Sequence, residues 1–187
     1  MMDITFCLRI AIIAVGAFLF AFLNVDPRIS AERINGTPEN DNLTGTMEED
    51  RIRGGTGNDT LVGLSGDDLI DGGQGNDTIV GSEGDDYLVG GGRNDTVQGE
   101  DGDDEIEGND GDDNLVGGNG TDILIGGLGI DALNGGDGND FLFGGPNEDI
   151  LIGGKGVDYF GCGLDNDKVL DLNISEGDVK SSNCEMQ

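Results

Sequence analysis

The sequence predicts a stacked-repeat solenoid, and three registers of one nine-residue period predict it. From Gly36 to Gly161 the chain divides into 14 consecutive units. Position one is glycine in all of them, from Gly36, Gly45 and Gly54 through to Gly135, Gly144 and Gly153. Position six is always aspartate. Position eight is always apolar, running from Leu43 and Ile52 to Leu151 and Phe160. A nine-residue unit cannot bury its apolar side chain alone, so each must lie on a neighbour.

Glycine also holds position four in ten units, the exceptions being Glu39, Glu48, Arg93 and Asn147. The pattern, displayed by GGDGNDFLF at Gly135 to Phe143, resembles the RTX calcium-binding repeat G-G-x-G-x-D-x-U-x, with U apolar. The resemblance covers about two thirds of the chain. It implies an all-β fold, a parallel β-roll in which the first six residues of a unit form a turn and the last three a short strand. Two units then make one 18-residue coil, giving about seven coils and a roll roughly 30 Å long at about 4.8 Å per stacked strand.

The composition sets the chemistry. With 39 acidic and 9 basic residues the net charge is −30, which argues against nucleic acid and anionic membrane surfaces as partners. Trp and His are absent, aromatics are 5% and glycine numbers 37, so an ordinary core is out of reach. Low hydrophobicity with high charge is the signature of disorder, which is expected here of the metal-free state.

Residues 1–31 stand apart. A short head with Arg9, an apolar run from Ile10 to Leu23 and a polar stretch with Pro27 resemble a secretory signal peptide, with Ala31 offering a cleavage site. The run is short for a membrane span of about 20 residues, so no membrane contact is expected beyond this segment. Residues 32–53 read as an N-terminal cap holding two degenerate repeats, with Pro38, Arg51 and Arg53 discouraging strand addition at an open end.

Residues 54–161 form the array proper. Stacking coils brings aspartates 18 residues apart into one column, where like charges about 5 Å apart repel unless a cation stands between them. Calcium suits such a column, being a hard ion that takes carboxylate and carbonyl oxygens. With no His, soft metals are set aside. Turn chemistry would accept Asn or Ser in place of Asp, yet every position six is Asp, while position five drifts from Asn58 and Asp67 to Thr121 and Ile130. The candidate calcium ligands are therefore Asp59, Asp68, Asp77, Asp86, Asp104, Asp113, Asp122, Asp131, Asp140 and Asp158. Asp95, Asp149, Asp50 and Asp41 form a second group, because their units lack the position-four glycine; fewer filled sites are expected near Arg93.

Positions seven and nine should point outward. Early units place Thr60, Asp71 and Thr78 there, whereas later even-numbered units place Ile123, Ile125, Phe141, Phe143 and Tyr159, an apolar patch on one outer sheet. The C-terminal segment is expected to cover that patch; failing that, Ile123, Ile125, Phe141 and Phe143 would meet a protein or surface-polymer partner.

Residues 162–187 leave the repeat and form a C-terminal cap. The run VLDLNISEGDVK resembles the segment that closes many RTX arrays, and Val169, Leu170, Leu172 and Ile174 are placed to cover the last coil. Cys162 and Cys184 are expected to form a disulfide, which an exported protein permits. The H-E-x-x-H and G-x-S-x-G motifs are absent and the carboxylates recur with the repeat, so no enzyme is expected. The sequence reads as a secreted, extracellular, non-catalytic protein that folds on binding calcium, with a cell-surface adhesin or matrix assembly protein as the alternative.

Overall fold

A computed structural model describes residues 32–182 and 184–186, and the signal segment expected at 1–31 lies outside the described residues. The chain winds through β1 (Arg33–Asn35), β2 (Asn42–Thr44), β3 (Arg51–Thr56), β4 (Thr60–Ser65), β5 (Leu69–Gln74), β6 (Thr78–Glu83), β7 (Tyr87–Gly92), β8 (Thr96–Asp101) and β9 (Glu105–Asp110). It continues through β10 (Asn114–Asn119), β11 (Ile123–Leu128), β12 (Ala132–Asp137), β13 (Phe141–Phe143), β14 (Ile150–Lys155), β15 (Tyr159–Gly161), β16 (Lys168–Val169), β17 (Val179–Lys180) and β18 (Glu185–Met186). Odd-numbered strands make one nine-stranded sheet and even-numbered strands the other, each in sequence order. All pairs are parallel, and the offset is 18 residues through the array, as in Leu61↔Ile79 and Leu124↔Leu142. This is the predicted parallel β-roll.

The position-eight side chains fill the space between the sheets. Ile52, Leu61, Ile70 and their successors to Phe160 are buried, each stacked on the residue 18 earlier. One apolar side chain per unit makes a narrow core, and two-sheet closure is what excludes water from it.

Strands β3 to β12 and β14 run six residues rather than the three expected, while β13 and β15 keep three. The ladder does not stop at the position-one glycine: Gly45 N–H donates to Val62 O at 2.8 Å, and at position two Gly127 N–H donates to Gly144 O at 3.0 Å. The chain therefore turns its corner inside a hydrogen-bonded strand. Left-handed backbone at position two makes this possible.

The C-terminal end departs from expectation in extent. Residues 162–170 are a fifteenth repeat: Lys168–Val169 pairs with β14 at the same 18-residue offset, and Val169 joins the core at 1% exposure. The roll accordingly has nine strands on each side, where seven coils were expected. Two further short strands follow with altered offsets, Tyr159↔Val179 and Lys168↔Glu185. Cys162 and Cys184 are disulfide-bonded with Cα atoms 5.3 Å apart, as expected. The tail closes the end of the roll and leaves the outer face bare. Ile123, Phe141 and Phe143 remain 37%, 43% and 36% exposed, so the expected covering of that patch does not occur. Of the four tail residues expected to shield the last coil, Val169 is buried and Leu172 packs on the core, but Leu170 and Ile174 are exposed.

Candidate metal centre

Each position-six aspartate sits where a turn enters a strand, and its two oxygens have different fates. Oδ1 reaches back one coil and accepts the main-chain N–H of the aspartate there: Asp59 N–H donates to Asp77 Oδ1 at 2.7 Å, and Asp122 N–H to Asp140 Oδ1 at 3.0 Å. The expected columns thus exist, one along the odd units and one along the even units. Main-chain donors tie them together.

Oδ2 has no such donor. In Asp59, Asp68, Asp77, Asp86, Asp95, Asp104, Asp113, Asp122, Asp131, Asp140, Asp149, Asp158 and Asp167 it is buried without a hydrogen-bond partner. Leaving a carboxylate oxygen buried and unpaired is among the costliest arrangements available to a folded chain. Burial accordingly pushes twelve of these carboxyl groups, Asp68 to Asp167, up from the usual 3.8, and neighbouring carboxylates add to the push while the N–H bond to Oδ1 opposes it. Asp68, Asp104, Asp131 and Asp140 rise to about 6, and Asp86, Asp95, Asp122 and Asp149 to about 7. Asp77, Asp113, Asp158 and Asp167 move in the same direction for the same leading reason.

The glycines explain themselves around this oxygen. A Cβ built on Gly72 would stand 2.6 Å from both Asp77 Oδ2 and the carbonyl oxygen of Gly90 in the next coil. Position one is glycine because two oxygens from consecutive coils line the space a side chain would fill. Positions two and four are required for a second reason. In units three to fifteen both are left-handed, with φ from +74° to +135° at position two and from +72° to +158° at position four. These are the same thirteen units that carry an unpaired Oδ2.

The first two units show what happens without that geometry. Thr37 and Thr46 occupy position two outside the left-handed region, and their N–H groups turn inward to donate to Oδ2 of Asp41 and Asp50 at 2.6 and 2.5 Å. Both carboxylates are thereby satisfied by the main chain. Asp95 and Asp149, by contrast, keep the geometry of the array, because Arg93 and Asn147 each adopt φ +84° in place of glycine. The sequence grouped these four aspartates together; the structure separates them two and two.

Two acidic residues lay outside the sequence expectation. Asp167 extends the odd column and Asp178 the even one, accepting N–H bonds from Asp149 at 2.9 Å and Asp158 at 3.1 Å. Cys162 at position one hid the first, and an offset of 20 residues hid the second. Position five also has a role that its drifting identity concealed. Its Asn and Asp side chains reach forward, so that Asn58 Oδ1 accepts from Asn76 N–H at 3.1 Å and Asp85 Oδ1 from Asp103 N–H at 2.9 Å. Asn and Asp serve equally there, and Thr121 and Ile130 take part through their main-chain N–H.

The donor chemistry suits a hard cation. The turns offer Asp Oδ2 and main-chain carbonyl oxygens as ligands. Among the described residues no three His, Cys, Asp or Glu side chains converge on one point, so any ion would draw on carboxylate and carbonyl together. That mixture of ligands fits calcium and disfavours zinc or copper.

A search of curated proteins finds no match to the chain. The family model of the RTX calcium-binding nonapeptide repeat, in its four-copy form, matches residues 30–61, 44–79, 53–88, 62–97, 89–124 and 125–160. Repeats of this family bind several calcium ions. A match running from residue 30 to residue 160 of 187, over units whose glycine, aspartate and apolar positions are those just described, makes this chain a member of the RTX calcium-binding nonapeptide-repeat family.

Proposed function

We propose that this protein is an exported, non-catalytic calcium-binding module whose folding is coupled to ion binding. The observation that carries the reading is the set of thirteen buried Oδ2 atoms without a partner. Asp59 to Asp167 of the two columns, with carbonyls of the glycine turns, would hold the ions. A hard dication bound there supplies the positive charge and oxygen coordination that the carboxylates lack. Without it the columns gather like charges away from water, and a narrow core of single side chains has to hold them. Each coil is the template for the next, so neighbouring turns should order together. Affinity in the range of extracellular modules, about 10⁻⁴ to 10⁻³ M, matches a chain meant to fold after leaving the cell. The apolar run Ile10 to Leu23 and the Cys162–Cys184 disulfide support export.

Far-UV circular dichroism of the metal-stripped protein, titrated with calcium or magnesium, tests the proposal. A cooperative rise in strand signal with calcium alone is expected. An equal response to magnesium, or none to either, would refute it.

A second reading, an adhesin or matrix assembly protein, is favoured by one observation. Phe141, Phe143 and Ile123 stand exposed side by side on the odd-strand sheet, with Phe141 and Phe143 packed against Tyr159 at ring separations of 6.2 and 5.8 Å. Replacing Phe141 and Phe143 by Ser should abolish attachment to a surface partner if the adhesin reading is right, and alter only stability otherwise.

A further inference from the structure

Each aspartate column has two ends, and three of the four are closed by a main-chain donor. At the N-terminal ends Thr37 N–H meets Asp41 Oδ2 and Thr46 N–H meets Asp50 Oδ2. At the C-terminal end of the even column, Asn173 N–H meets Asp178 Oδ2 at 2.6 Å. The fourth end is different. Asp167 closes the odd column, is 0% exposed, and has no partner for Oδ2 among the described residues.

The turn around Asp167 is nevertheless built like those of the array. Gly163 and Asp165 hold positions two and four at φ +75° and +72°, and Asp165 Oδ2 accepts the N–H of Asn147 from the coil before. What differs is the next residue along the column. Lys168 pairs with Glu185, which puts Cys184 in the place where the following aspartate would stand. Cys162 meanwhile occupies position one, the place of the invariant glycine. The disulfide joins these two positions, with Cys162 and Cys184 at 0% and 7% exposure. The half-cystines therefore replace, at the last turn, the close glycine and next carboxylate that every interior turn has. This region also lies beyond the family match, which ends at residue 160.

We infer that the Cys162–Cys184 disulfide closes the calcium site at the turn Gly163 to Asp167 in place of a following coil, so that ion and disulfide protect each other. The inference rests on the calcium reading above. A disulfide this buried can be reduced only when the cap opens, and opening exposes Asp167. An ion held by the closed form then slows reduction by the factor it contributes to closure. At about 10 mM calcium and a dissociation constant of about 10⁻⁴ to 10⁻³ M that factor is roughly 10 to 100.

The test is the rate of reduction of the full chain by dithiothreitol, with alkylation at Cys162 and Cys184 followed by mass spectrometry, in calcium and in magnesium. In saturating calcium, where the chain is folded, wild type and Asp59→Asn, which removes a carboxylate at the opposite end of the same column, should be reduced at matching slow rates. Asp167→Asn should be reduced about 10- to 100-fold faster than either in calcium and should bind one ion fewer by elemental analysis, with circular dichroism on the same samples reporting its fold. Undiminished protection in Asp167→Asn would overturn the inference, and so would an equal loss in Asp59→Asn, since coupling would then be global. If calcium induces no strand signal in wild type, the calcium reading itself fails, and circular dichroism on the same samples separates that outcome from the others.

Discussion

Stripping calcium and lowering the pH from about 7.5 to about 5 should drive the chain toward the roll, the reverse of ordinary acid denaturation. Twelve aspartates of the columns, Asp68 to Asp167, lie above their unfolded value of 3.8 in the folded state, to about 7 at Asp122 and about 6 at Asp104. A folded form that holds protons more tightly gains stability as protons are supplied. That contribution is complete below about pH 4, declines through the window up to about 7, and is gone above it. One pKa unit corresponds to about 1.4 kcal/mol, so Asp122 taken alone carries about 4 kcal/mol and Asp104 about 3. The values do not sum, because Asp104 and Asp140 raise Asp122 through their charge, and protonating one relieves its neighbours. Circular dichroism against pH in metal-free buffer reads the effect, stopping at pH 5 to stay clear of the isoelectric point near 4.1 and checking by sedimentation that the chain stays monomeric. Calcium affinity should fall over the same range, since proton and ion compete for Oδ2. A metal-free chain that stays unstructured at pH 5, or gains strand only on raising the pH, would show that the carboxylates do not resist burial as the geometry requires.

Three further substitutions probe separate parts of the unit, each by thermal unfolding in saturating calcium. Gly138→Ala forces a side chain at φ +158° onto the carbonyl oxygen of Gly120 and should cost several kcal/mol or split the roll at that coil; an unchanged midpoint would refute the close packing of the turns. Arg93→Gly removes a left-handed arginine at φ +84° and should stabilise by about 1 kcal/mol, against which a loss of stability would count. Leu124→Ala empties a fully buried site midway along the core and should cost about 2–5 kcal/mol, whereas less than about 1 kcal/mol would mean the core is not closed to water there.

The sequence displays most plainly the residues whose chemistry admits no substitute. Position one tolerates no Cβ beside Asp Oδ2, position six must offer two oxygens in opposite directions, and position eight must be apolar, so all three repeat visibly. Position two is as constrained in backbone but not in side chain. Leu64, Ser82, Glu100 and Asn109 adopt left-handed geometry there, at φ from +74° to +97°, because the surrounding ladder holds them, and their identities give no hint of it. The fifteenth unit was hidden for a similar reason. Cys162 stands where glycine marks every other unit, and its side chain is joined to Cys184. The path of the tail was illegible because it follows from altered strand offsets of 20 and 17 residues, which no residue type announces.

The 18-residue offset that runs through both sheets makes the chain editable in fixed quanta. Excising one coil rejoins every downstream strand to the sheet it already occupies and shortens the rod with its faces unchanged. Excising nine residues, such as Gly90 to Gln98, also leaves every aspartate, glycine and core residue in phase. It transfers each later strand to the opposite sheet, however. Arg51 and Arg53 would then share a side of the rod with Ile150 and Ile152, and the aromatic stripe of Phe141, Phe143 and Tyr159 would move to the other side. Loss or duplication of a single repeat is thus silent in the interior and a half-turn on the exterior, a means by which such an array can change what it presents without changing how it is held together.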